Sequence, residues 1–450
     1  MNQEEIINHI KDVICSSTSE LKRDVMNSLI DSRIVRFSNL YPSITSIIPR
    51  QILLDVDFVE ASLYPVYFNS EETIILIDKQ SNRYKFYPYY ESQCLPCTFS
   101  KEVINDRQLK ITFQGLHEFF YLNKDFIDIW LSNKSVFDCN HYYQAFINAT
   151  FELRLHTNEG ELNKSIRVKQ LDNKTFSPDF TLKNKINTPD LFTAFRLEFT
   201  NDISHLQIYK VEVMVNLKNN IKTSVALLNS LYFNRLAIIN CYQDFASNIM
   251  LDACREQYPL LNEMNNNAHF HSIKEVYVKS TEGNVKPVFH KLISNNKDLS
   301  YEIKALSANN GFKHAHIFFH NLDPMLHHQI IVNANWYDDI SQELQAVNFI
   351  KQPVNMFNSG IAKQFPIVNK QENNLQLINQ ITDILHKSTL SRNEILQIIN
   401  LLTENKYHYL SINKENKITN LDHVGSSANE IQFYETVFTH CKEYVNQLKM

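Results

Sequence analysis

The sequence predicts an α+β, multidomain, β-rich chain of antiparallel sheets or sandwiches, with helical N- and C-terminal segments. Three observations lead there. Apolar residues recur at helical spacing over the first forty residues and again from about residue 370. Between these ends, runs rich in β-branched and aromatic residues alternate with polar ones. Hydrophobic residues make up 44% and aromatics 12% of 450 positions, enough for more than one core. The expected organisation is a helical segment at 1–48, a β-rich domain with short helices at 49–148, and a sandwich-like domain at 149–235. A second β-rich domain follows at 236–370 and an α-rich region at 371–450.

At the N-terminus, Ile6, Ile10 and Val13/Ile14 share one helical face, and Glu4 and Glu5 sit in the first turn, where the helix dipole favours negative charge. Ser17 and Glu20 have capping-box spacing ahead of Leu21, Val25 and Leu29. Tyr41-Pro42 ends the pattern, because the residue before proline is driven out of the helical region. Strands are then expected at 73–78, 83–89, 109–114, 149–157 and 192–200. In the next run Tyr209, Val211, Val213 and Val215 alternate with Lys210, Glu212 and Met214, the pattern of a strand with one buried face. Asp125–Leu131 and His141–Ile147 read as short helices. Further strands are expected at 275–279, 315–320 and 329–334. The helical period returns at Leu375, Ile378, Ile381 and Leu385, and again at Ile395, Ile398, Ile399 and Leu402. The last helix is capped by Ser427/Glu430 and repeats Ile431, Tyr434, Phe438, Cys441, Val445 and Leu448.

Composition excludes several function classes. With 44 Lys+Arg against 49 Asp+Glu the net charge is −5, which offers no electrostatic reason to bind nucleic acid or an anionic membrane. The six glycines lie no closer than 28 positions apart, so a phosphate-cradling loop cannot be assembled from neighbouring glycines. No cofactor is expected on that basis. No run of 18 apolar residues calls for membrane insertion, and Met1-Asn2-Gln3-Glu4-Glu5 lacks the order of a signal peptide. Seven scattered cysteines suit reduced thiols in a cytosol.

Few constellations suggest chemistry. Cys94-Leu95-Pro96-Cys97 is a lone CxxC whose nearest further candidates, Cys139 and His141, lie forty-odd residues away; free thiols fit it better than zinc or a redox pair. His314, His316 and His320 would point the same way on a strand, and three imidazoles can hold zinc or iron. That would make a metal-dependent enzyme the alternative reading. Against it, no carboxylate lies near on that face of the run and Phe318 interrupts the row, which favours structural histidines. Arg83-Tyr84-Lys85-Phe86-Tyr87 reads better as a half-buried strand than as a base-stacking platform. The terminal stripes Ile6, Ile10, Ile14, Leu21, Val25, Leu29 and Ile431, Tyr434, Phe438, Val445 have two readings, core of their own domain or docking surface for a partner.

Several ordered segments together resemble the TssF (VasA/ImpG) family of type VI secretion baseplate proteins. They include Asn39-Leu40-Tyr41-Pro42 with Ser46-Ile47-Ile48-Pro49, Leu109–Phe113 followed by Phe126–Leu131, and a helix at His141–Ile147. Leu236–Phe245, with its Asn240-Cys241, is followed by Tyr258-Pro259-Leu260 and by Ile273–Val278. Gln329–Trp336 holds Asn333-Ala334-Asn335 where the family has Cys-Thr-Asn, and Leu375–Ile384 and Val437–Val445 resemble its C-terminal helices. Shortened N-terminal and middle segments make this the resemblance of a divergent member, such as the IglH-like branch of intracellular pathogens. The resemblance implies a non-enzymatic, virulence-associated wedge subunit in the bacterial cytoplasm, at an apparatus docked on the inner membrane. Its implied partners are a TssG-like protein, a second copy of itself, a TssK-like adaptor, a TssE-like sheath initiator and a VgrG-like spike.

Overall fold

The computed structural model describes residues 48–365 apart from 60–61, 133–135, 172–187, 201–202, 204, 219–221, 253–254, 256, 266, 291–297, 308–312, 323–326, 341 and 350–356; it also describes 410–412 and 418–421. The terminal stripes expected to be helical lie outside the described residues, as do the helices expected after residue 370.

What is described is built almost entirely of antiparallel sheets, and its centre is a six-stranded sheet assembled from three distant parts of the chain. In space its strands run Leu344–Phe349, Ile74–Asp78, Arg83–Pro88, Arg235–Ile239, Gln51–Phe58 and Phe357–Phe365. Gln51 pairs with both Ile239 and Phe365. Its edges meet through Gln364, whose amide donates to the Leu344 carbonyl (2.8 Å) and whose Oε1 accepts from the Leu344 N–H (3.4 Å). The sheet therefore curls back on itself. Both faces are buried: Ile52, Leu54, Val56, Phe86, Leu236 and Ile238 fill the inside, while Leu53, Ala237 and Ile239 belong to a second core on the other side. A strand covered on both faces reads as a continuous apolar run, here Ile52-Leu53-Leu54 and Leu236-Ala237-Ile238-Ile239.

Two sandwiches are inserted into this sheet. The first occupies the stretch between Arg83–Pro88 and Arg235–Ile239. One of its sheets orders Gly160–Lys164, Thr150–Thr157, Ile208–Asn216, Gln108–Gly115 and Cys97–Asn105; the other orders Ile166–Gln170, Ala194–Phe199, Phe126–Leu131 and Leu231–Tyr232. Leu109, Ile111, Phe113, Val211, Val213 and Val215 from one sheet pack against Ile127, Ile129, Leu131, Phe195 and Leu197 from the other. The helix Val136–Ile147 confirms the short helix expected at His141–Ile147 and extends it. The strand expected at 209–215 is present, with one adjustment. A register shift between Ile208 and Lys210 turns Ile208 inward and leaves Tyr209 at the surface.

Asp125–Leu131 is a correction, since Phe126–Leu131 is a strand with all six residues buried. Its two faces serve two cores, Ile127, Ile129 and Leu131 facing one and Trp130 the other, so no period of two shows in the hydropathy.

The second sandwich is a contiguous stretch, 242–338. One sheet orders Tyr242–Phe245, His327–Asp338, Ala268–Ser280 and Val285–Pro287, with Ile249–Met250 also on His327–Asp338. The facing sheet orders Gln257–Pro259, Lys313–His320, Ser300–Ser307 and Phe289–His290. Trp336, Val276, Val278, Ile330 and Val332 meet Tyr258, Ala315 and Ile317 between them. Sheets cross the segment boundaries expected at 148/149 and 235/236, because Thr150–Thr157 pairs with Ile208–Asn216, which pairs with Gln108–Gly115, and Gln51–Phe58 pairs with Arg235–Ile239. In this glycine-poor chain asparagine serves at turns. Asn234 (φ 54°) and Asn321 (φ 59°) take the left-handed conformation, with Ser81 (φ 67°) beside them.

Candidate functional site

The ten residues singled out for docking, Ile6, Ile10, Ile14, Leu21, Val25, Leu29, Ile431, Tyr434, Phe438 and Val445, lie outside the described residues. The structure does place the residues singled out for chemistry. Cys94 ends one short strand and Cys97 begins another, both buried as free thiols, and burial pushes both well above the usual thiol range. A thiol held protonated is a poor nucleophile and a poor metal ligand. Arg83–Pro88 is the half-buried strand expected, with Phe86 inside and Arg83 and Lys85 exposed.

The histidine run lies on Lys313–His320, beside Ser300–Ser307. The expectation that no carboxylate reaches that face is corrected. Glu302 pairs opposite Phe318, and its Oε2 stands 3.3 Å from His320 Nε2. A carboxylate from the neighbouring strand is invisible in a single run of sequence. His316 pairs opposite Lys304 instead, and among the described residues no three His, Cys, Asp or Glu side chains converge as a metal site.

A connected polar group lies elsewhere, where the chain leaves the central sheet for the second sandwich and returns. Asn240, fully buried, follows the strand Arg235–Ile239, and Asp338 ends the strand His327–Asp338. They bond reciprocally: Asn240 Nδ2 donates to Asp338 Oδ2 (3.0 Å), and the Asp338 N–H donates to Asn240 Oδ1 (2.7 Å). The same Asn240 amide donates to the Lys85 carbonyl of the central sheet (2.7 Å). From the sandwich, Asn265 Nδ2 donates to Asp338 Oδ1 (3.0 Å) and to Tyr242 Oη (3.3 Å), and Tyr242 Oη donates to Asp338 Oδ1 (3.4 Å). Burial first, and then the adjacent Asp338 carboxylate, push the Tyr242 phenol well up, so it remains a donor. Just past the crossing, the Arg50 guanidinium holds the Ile340 (3.0 Å) and Gln342 (2.9 Å) carbonyls. The Asn240, Asp338, Asn265 and Tyr242 side chains each have partners here, the condition under which such a network is structurally specific rather than merely costly.

Sequence reading reached half of this joint. Asn240-Cys241 stood out in the family-like segment, whereas Asp338, 98 residues away, carried no signal; only the pairing of Tyr242–Phe245 with His327–Asp338 brings them together.

Apolar surface is the other feature open to partners. At the first sandwich Tyr64, from the segment after Gln51–Phe58, stacks on Tyr121 (5.3 Å between centroids), and Phe119 sits edge-on to Tyr121 (5.5 Å) and Tyr209 (6.4 Å). In the second, Phe245, Leu261 and Met264 are exposed around one turn, and Val285 and Phe289 along one edge.

No protein-family model matches the sequence, and no curated protein matches it. Among solved structures, the chain is similar to one in the type VI secretion system TssK–TssF–TssG baseplate subcomplex determined by cryo-electron microscopy. The likeness has a TM-score of 0.66 at 10% sequence identity, over 99% of this chain and 94% of the other. The chain is therefore TssF-like at the level of fold, in agreement with the resemblance drawn from its sequence segments.

Proposed function

We propose that this chain is a structural subunit of a type VI secretion baseplate, a divergent TssF-like wedge component acting by fitting against other proteins. The observation that supports this most is the likeness in fold, which extends over nearly the whole of both chains. Fold alone does not specify function, but three further features agree with the reading. The side chains of Asn240, Asp338 and Asn265, which converge inside the described residues, are taken up by hydrogen bonds to one another and to the backbone. The two sandwiches expose aromatic and aliphatic side chains in groups. The mild acidity suits a protein whose partners are proteins rather than nucleic acid.

On this reading the immediate partners are TssG-like and TssK-like proteins. A second copy, a TssE-like sheath initiator and a VgrG-like spike lie further out in the same assembly, on the cytoplasmic side of the inner membrane. The test is purification of the tagged chain from its native cell, with partners identified by mass spectrometry. The reading predicts TssG-like and TssK-like proteins in fixed ratio to the chain after size-exclusion chromatography. Recovery of the chain alone, with both candidates expressed in the same cells, contradicts it.

A further inference from the structure

Four stretches of chain meet at one end of the first sandwich, where Gln108–Gly115 and Thr150–Thr157 finish and Ile208–Asn216 begins. Backbone hydrogen bonds hold them together. The Phe120 N–H donates to the Ile208 carbonyl (2.9 Å), the Tyr121 N–H to the Leu63 carbonyl (3.2 Å) and the Asn158 N–H to the Gln207 carbonyl (3.1 Å). The joined stretches carry four aromatic rings in a row. Tyr64 stacks on Tyr121 with the ring planes 11° apart, and Phe119 stands edge-on to Tyr121 (84°) and to Tyr209 (86°). The Gln207 amide donates to Tyr121 Oη (3.2 Å) and so fixes the middle of the row. The ends of the row are open to water, Tyr64 at 60% and Tyr209 at 38% exposure. Aromatic surface that the fold holds in place but leaves uncovered marks a recognition surface.

Charge decides what it recognises. Glu118 precedes Phe119 and Glu159 follows Asn158; both are exposed, and neither carboxylate is in an ion pair among the described residues. The lysines of the same stretches are engaged elsewhere, Lys124 over the Tyr67 ring (5.0 Å) and Lys210 on Glu212 (2.6 Å). The rim therefore presents carboxylates beside ring faces that are themselves electron-rich. Both features select a cation, and a flat one best. A guanidinium can stack on a tyrosine face while its N–H groups reach a carboxylate.

We propose that this end of the first sandwich docks an arginine-bearing basic segment of a partner protein. Its guanidinium groups stack on the open face of Tyr64 and pair with Glu118 and Glu159. The inference rests on the reading that the chain acts by fitting against other proteins, and it gives that reading one surface and one partner chemistry.

The test is titration of the full chain with fluorescently labelled nona-arginine, read by anisotropy at about pH 8, where an ordinary imidazole is neutral. Nona-lysine, of equal charge but unable to stack, is expected to bind about fivefold more weakly. Tyr64→Ala should weaken nona-arginine binding about fivefold, while Tyr64→Phe, which keeps the ring, should hold it within about twofold. Glu118→Gln combined with Glu159→Gln should weaken binding about fivefold at low salt and flatten its salt dependence. Phe289→Ala, which removes a ring 58% exposed on the second sandwich, should leave binding unchanged. Tyr64 is exposed enough for its loss to leave the chain folded. Equal affinity for the two peptides, or for Tyr64→Ala and the intact chain, shows only diffuse attraction to an acidic protein and overturns the proposal. A loss in Phe289→Ala as large as that in Tyr64→Ala does the same. Only the chain and the peptide are present, so the result is separate from whether TssG-like and TssK-like proteins copurify, and either reading can fail without the other.

Discussion

The two inserted sandwiches have similar architecture but are fastened to the central sheet by different physics. The first is welded on by apolar surface. Tyr89 and Tyr90 of the connecting segment, with Leu53, Ala237, Ile239 and Phe365 of the sheet, share one core with Trp130, Leu191, Phe192 and Ala194 of the sandwich. The aromatic rings there meet edge to face, Tyr89 on Phe192 at 5.6 Å and Tyr90 on Phe192 at 6.2 Å. Among the described residues the second sandwich is joined by the hydrogen bonds of Asn240 to the Lys85 carbonyl and to Asp338, by Tyr87 against Tyr242, and by Lys85 over the Tyr242 ring. Apolar burial is non-directional and grows with area, so a large shared core makes two units unfold together. A few directional bonds fix an angle without merging the units' stabilities. Connectivity points the same way. The second sandwich closes only contacts internal to 97 consecutive residues (242–338), whereas Gln51 must find both Ile239 and Phe365. Long-range pairings of that kind are the slow ones to form.

The largest expected effect comes from the shared core. Trp130→Ala, at a fully buried site, should cost about 3–5 kcal/mol and lower the unfolding midpoint of the central sheet and first sandwich together. A loss confined to the first sandwich would break the comparison. Next is the bidentate pair of Arg196 with buried Asp128 (Nε–Oδ1 2.7 Å, Nη2–Oδ2 2.9 Å), whose guanidinium also covers the Phe126 ring at 3.5 Å. Arg196→Met leaves the carboxylate buried without its counter-charge. It should cost about 3 kcal/mol in chemical denaturation, with the second sandwich unmoved.

Smaller, and dependent on pH, is the contribution of Glu212. Burial raises the pKa of its carboxyl, but hydrogen bonds from Lys110, Lys210 and His156 outweigh this and hold it at about 2, against an ordinary value of 4.5. An acid whose pKa is lowered on folding stabilises the native state above its unfolded pKa, and the stabilisation is lost as pH falls from about 4.5 towards 2. Glu212→Gln should therefore cost on the order of 2 kcal/mol at pH 7, after allowance for the partly exposed lysines, and nearly nothing at pH 2. A difference independent of pH would contradict this. The smallest effect is expected at the histidine run. His320→Gln removes a partly exposed imidazole–carboxylate contact with Glu302 and should change the stability of the second sandwich by less than about 1 kcal/mol.

The same contrast governs how much could be read from sequence. Where one face of a sheet meets solvent, alternation shows through, as in Leu109, Ile111 and Phe113 or in Val211, Val213 and Val215. Where both faces are covered it disappears. Phe126–Leu131 therefore reads as a helix, and in Gln51–Phe58, the strand that joins the central sheet's far segments, alternation shows only in the second half, where Leu54, Val56 and Phe58 interleave with Asp55 and Asp57. The boundaries at 148/149 and 235/236 follow local changes in pattern, while sheet membership follows pairings across much of the chain. Half of the polar joint was legible, in the form of Asn240-Cys241. Its partner Asp338 was not, because a lone carboxylate has meaning only once the strands are paired.

The chain has two tryptophans, and each reports on one attachment: Trp130 sits in the core shared by the first sandwich and the central sheet, and Trp336 in the core of the second sandwich. Unfolding Trp130→Phe and Trp336→Phe in denaturant, each followed by its remaining tryptophan, measures the two units separately. The account predicts two distinct transitions, with Trp336 becoming exposed at the lower denaturant concentration. A single midpoint shared by both variants would show one cooperative unit and contradict it.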